Sequence, residues 1–91
     1  MKTIVFVRFH GGVGHYLYLV PEVAIGGSNY IFENEEVFVQ IGSGKTHVTA
    51  TCESTDVSDE FFRSLIDALE IDEVKYITGR AVRESYVEVP F

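Results

Sequence analysis

The 91-residue sequence predicts an α+β fold. It reads as a mainly antiparallel β-sheet, or a small partly open barrel, of about seven strands with one amphipathic helix packed on it. Three observations predict this. Short runs of β-branched and aromatic residues recur up to Cys52, divided by Gly-rich or polar turns. One later segment, after Ser58, has apolar residues at helical spacing. The intervals between strands are too short for parallel crossovers, so successive strands are antiparallel neighbours.

Residues 4–9 are apolar on both faces, which predicts a central strand. Gly11, Gly12 and Gly14 supply the turn after it. Residues 16–20 form the next strand, closed by Pro21, which cannot donate to a ladder. Residues 24–28 read as a loop around Gly26 and Gly27. Residues 30–33 and 37–41 read as a hairpin across Asn34 and Glu35. A turn at residues 42–45 leads to a strand at 46–51, where Val48, Ala50 and Cys52 share one face and His47, Thr49 and Thr51 the other. That alternation places Cys52 in the core, as a small hydrophobe.

The helix carries the clearest signals. Ser58 is a good N-cap, and Asp59 and Glu60 stand where the helix dipole favours negative charge. Val57 and Phe62 have the spacing of a hydrophobic staple. Phe61, Phe62, Leu65, Ile66 and Leu69 form one apolar stripe, and the helix is expected to end near Glu70 or Ile71. Strands at 74–78 and 86–89 follow, joined through Gly79.

The length fits a single domain, residues 1–91. Hydrophobic residues make up 46% of the chain, enough for a core and too many for a disordered chain. The net charge is −7, from 14 acidic and 7 basic side chains. That balance speaks against direct binding to nucleic acid or to an anionic membrane, and it favours a basic protein partner. A lone cysteine excludes an internal disulfide, and the short apolar run near the start is neither a signal peptide nor a span. The expected location is therefore cytoplasmic.

Few motifs carry chemistry. The run from Gly42 to Thr46 resembles the end of a phosphate-binding loop, but Val39 stands where the first glycine belongs. A β-rich alternation follows it in place of a helix, so a hairpin turn accounts for it. His10 and His15 flank a tight turn and, with His47, make the one metal-binding alternative. No metal or other cofactor is expected, because the ligand count is low. Glu35 and Glu36 read as turn charges, and His47 lies on the opposite strand face from Cys52, which rules out a dyad in a regular strand.

The acids are concentrated. Eight of the fourteen lie in residues 53–73, where Arg63 is the only base. Asp56, Asp59, Glu60, Asp67 and Glu70 form the expected partner-binding ridge, able to imitate nucleic-acid phosphates toward a basic groove. The tyrosines in or beside strands suit an interface, and an edge strand such as 86–89 could join copies into a homodimer. In size, charge and lack of catalytic signature, the chain resembles the small acidic α+β inhibitors that bacteriophages and mobile elements direct at host nucleases or defence complexes. That resemblance implies a non-enzymatic inhibitor. The alternatives are a small ligand-binding or metal-dependent enzyme using the histidines, and a structural homo-oligomeric subunit.

Overall fold

The structure, a computed structural model, describes residues 1–22 and 30–81. The loop expected at 24–28 and the strand expected at 86–89 lie outside the described residues. Along the described chain run β1 (Lys2–Phe9), β2 (Tyr16–Val20), β3 (Glu36–Ile41), β4 (Gly44–Ala50), β5 (Thr55–Val57), α1 (Asp59–Ala68) and β6 (Ile77–Arg80).

The strand order is β2-β1-β4-β3-β6, with β5 beside β1, and every ladder is antiparallel. β1 is central, as its two apolar faces require: it pairs with β2, β4 and β5. The sheet curls into a half-barrel. Its two ends meet where the Leu19 amide donates to the Lys75 carbonyl at 2.9 Å and Leu19 forms a parallel bridge with Tyr76.

Strand alternation sorts the side chains into two cores. Val5 and Val7, Tyr18 and Val20, Val37 and Val39, Val48 and Ala50, with Ile31 and Ile77, fill the concave side. Ile4 and Phe6 of β1 and Leu17 and Leu19 of β2 point the other way. There α1 covers them with Phe62, Leu65 and Ile66. Burying the Phe62 ring contributes about 2–3 kcal/mol.

Both helix ends follow from local chemistry. The Ser58 hydroxyl accepts from the Phe61 amide at 3.0 Å, and Val57 packs in the same cluster as Phe62. At the other end Glu70 adopts a left-handed conformation with φ 55°. Its amide donates to the Asp67 carbonyl at 3.2 Å, and the Ile71 amide donates to the Ile66 carbonyl at 3.0 Å. This is the Schellman arrangement with glutamate at the position glycine usually fills. The helix therefore stops at Ala68, short of the expected end near Glu70 or Ile71.

Six strands, not about seven, are present among the described residues. Residues 30–33 are not a strand. Both edges of β3 are already paired, with β4 and β6, so no ladder position is open to them. Residues 30–32 run without regular structure into a turn over 32–35, closed by the Glu35 amide donating to the Phe32 carbonyl at 3.0 Å, with Asn34 at φ 69°. β5 is an addition. Between Val7↔Ala50 and Ile4↔Thr55, β1 moves three residues while the facing chain moves five, so two extra residues bulge out.

That bulge exposes Cys52, contrary to the core position expected from alternation. Ser54 takes the buried position: its amide donates to the Ile31 carbonyl at 2.8 Å, and its hydroxyl accepts from the Ile31 amide at 2.9 Å. β6, in place of the strand expected at 74–78, begins at Ile77 and contains Gly79 opposite Phe38.

Candidate functional site

At about 100° per residue, Asp59, Glu60, Arg63 and Asp67 occupy one sector of α1, flanked on the Asp59 side by Ile66 and Phe62 and opposite Phe61 and Leu65. All four are exposed. Asp56, on β5, accepts a hydrogen bond from the Thr3 hydroxyl at 2.6 Å. Asp59 lies 3.4 Å from the Met1 amino group, and Lys2, Asp59, Phe62, Arg63 and Ile66 share one groove. The start of the ridge is therefore charge-mixed. Further along, the carboxylates of Glu60 and Asp67 have no hydrogen-bond or ion-pair partner among the described residues.

Two of the acids sit where a carboxylate is disfavoured. Asp67 is in the last helical turn, which holds no basic residue to offset the dipole. Glu70 holds the left-handed cap position, which strains any residue with a Cβ. Beside them the apolar stripe is not fully covered: Phe61 is 53% exposed and Leu69 47%, with Leu65 half-buried between them. The sequence placed Phe61 in the stripe with Phe62. The structure separates the two rings, since Phe62 is 8% exposed.

Among the described residues no helix covers the outer face of β3 and β4, which holds a second cluster. One step beyond the last β1–β4 pair, Phe9↔Val48, the rings of His10 and His47 lie 6.1 Å apart and 21° from parallel. His47 also stacks on Phe38, its partner across the ladder, at 4.3 Å, and Lys45 Nζ stands over the Phe38 ring at 5.5 Å. His10 Nε2 is 2.9 Å from Glu36 Oε1 and 3.1 Å from Thr49 Oγ1, while the Thr49 hydroxyl donates to Glu36 Oε2 at 2.8 Å.

The structure thus brings together two of the three singled-out histidines. The β1–β2 ladder ends at Val7↔Tyr16, so His15 stays on the β2 side of the loop, while His10 turns to β4. Among the described residues, no three His, Cys, Asp or Glu side chains stand grouped as metal ligands.

Glu35 and Glu36 are more than turn charges. Glu35 forms a two-pronged ion pair with Arg80, both side chains 14% exposed, and Arg80 also donates to the Tyr30 carbonyl. Glu36 pairs with His10. Their partners are 45 and 26 residues away, so no local pattern announces them. Lys45 and Thr46 lie in β4 after a two-residue turn in which Gly42 takes φ 57°, as a hairpin requires.

Comparison with protein-family models, curated proteins and solved structures finds no match. Among the described residues, no helix is long and apolar enough to cross a membrane.

Proposed function

We propose that this protein is a non-enzymatic binding module that docks a basic protein partner on the outward face of α1. It acts by occupying a groove in which that partner holds nucleic acid, as the small inhibitors of bacteriophages and mobile elements do. The observation that carries this reading is that Glu60 and Asp67, two turns apart on one line of α1, have no side-chain partner among the described residues, while the half-exposed Phe61 ring stands on the adjoining side of the helix. Carboxylates of this kind steer and select a basic partner, while an aromatic ring supplies the desolvated anchor.

The cost to the fold supports the same reading. Asp67 and Glu70 oppose the helix dipole and the cap geometry, so stability is not what places acids there. Asp56 and Asp59 flank the surface and extend its negative field.

Competition tests this function. Partner captured on the immobilised protein is purified and challenged with a double-stranded DNA oligomer and with single-stranded RNA. Displacement by either polyanion, at a concentration that rises as salt weakens the nucleic acid's hold, is the expected result. A partner that holds both the nucleic acid and this protein at once contradicts competition.

A further inference from the structure

We propose that this protein pairs with a second copy of itself, α1 of each copy lying on the open outer face of β4, β3 and the end of β1 of the other. In β1, Ile4 and Phe6 lie under α1, and strand alternation puts Arg8 on that same side of the sheet, just beyond the covered part. The helix and the open face are therefore neighbours on one side of the molecule. Two such surfaces meet about a two-fold axis, and the contact is made twice.

Charge selects the occupant. Arg8 faces Thr49 across the β1–β4 ladder, and Lys45 lies further along β4 on the same face. Both are exposed, and neither has a carboxylate partner among the described residues. Glu36, an acid on this face, is taken up by His10 and Thr49. His47, stacked on Phe38, stands between the two cations. On α1, Glu60 and Asp67 are exposed acids separated by about 10 Å of helix axis. Lys45 and Thr49 are separated by about 13 Å of strand, a difference that long Lys and Arg side chains span. Between Asp67 and Phe61 around the helix lie Ser64 and Ala68, small and exposed, so the helix backbone can approach the sheet closely. That approach brings the half-exposed Phe61 ring to the Phe38–His47 stack.

The pairing uses only the charge and exposure of α1 and needs no basic partner. It covers Glu60, Asp67 and Phe61, so a paired copy cannot hold such a partner, and chain concentration regulates the docking surface. The test is sedimentation velocity on tag-free protein over a series from micromolar to millimolar concentration. The chain carries Cys52→Ser, so that the exposed thiol cannot crosslink copies. The expected result is a monomer–dimer equilibrium with nothing larger. Arg8→Glu with Lys45→Glu, and separately Glu60→Lys with Asp67→Lys, each raise the dissociation constant about tenfold or more. An equimolar mixture of the two variants restores the dimer, because each offers the charges the other needs. Circular dichroism confirms that both are folded, and the sheet variant decides alone if the helix variant is not. A parent that stays monomeric throughout overturns the proposal. So do variants that pair as the parent does, a mixture that stays apart, or species that grow beyond the dimer.

Discussion

Ser54 shows how much of this fold rests on single polar groups. Its hydroxyl and amide complete both hydrogen bonds of the fully buried Ile31 backbone, which belongs to no strand. Ser54→Ala leaves the Ile31 amide without an acceptor and lowers stability by about 2 kcal/mol, read by urea denaturation. An unchanged midpoint contradicts this role. Tyr18 gives the pH counterpart. Burial, and secondarily the charge of Tyr16, raises its phenol above the ordinary value of 10.0. The fold thus favours the neutral phenol. Its contribution is fully present below about pH 10 and is lost as pH rises through the raised folded value. Tyr18→Phe should flatten the fall in melting temperature between about pH 9 and pH 11; a fall as steep as the parent's contradicts the assignment. Neither role was legible in the sequence. Ser54 lies beyond the strand expected at 46–51, and the bulge that precedes it exposes Cys52, because two extra residues loop out of the ladder before the chain returns Ser54 to the core face.

At the scale of elements, α1 was legible because every signal for it is local: cap, staple, first-turn acids and apolar period all lie within it or the two residues before it. β5 was not, since a three-residue polar strand has meaning only through its pairing with β1. The failed strand at 30–33 has the same cause seen from the other side, because nothing local says that both edges of β3 are taken. Within α1 the two adjacent phenylalanines should behave oppositely. Phe62→Ala removes the ring that joins helix to sheet and costs about 3–4 kcal/mol. Phe61→Ala changes stability by at most about 0.5 kcal/mol yet weakens partner binding by about 2 kcal/mol. Equal stability losses in the two variants contradict the separation of core ring from docking ring. Asp67→Lys adds a cation where the dipole favours one, and should raise stability by about 0.5 kcal/mol while weakening the partner. That opposition of sign is what a residue kept for binding shows and a residue kept for folding does not.

At the scale of the molecule, the curled sheet leaves two surfaces of different character. The helix side presents the acid ridge, and the open side of β3 and β4 presents the row Lys45, Phe38, His47 and His10. The antiparallel α+β class, the central place of β1 and the existence of the ridge all follow from composition and period. The meeting of His10 with His47, and of Glu35 with Arg80, follows from sheet closure and had no sequence signal. Reversing the charge of the α1 acids separates a binding ridge from a merely solvated helix face. The parent protein and a variant carrying Asp59→Lys, Glu60→Lys, Asp67→Lys and Glu70→Lys, shown by circular dichroism to be folded, are immobilised side by side. Both are used to capture proteins from source-cell lysate across a range of salt. The expected result is a basic, nucleic-acid-handling protein that the parent captures, that rising salt releases and that the variant does not hold. The same protein held equally by both, or no protein held by the parent, would contradict it.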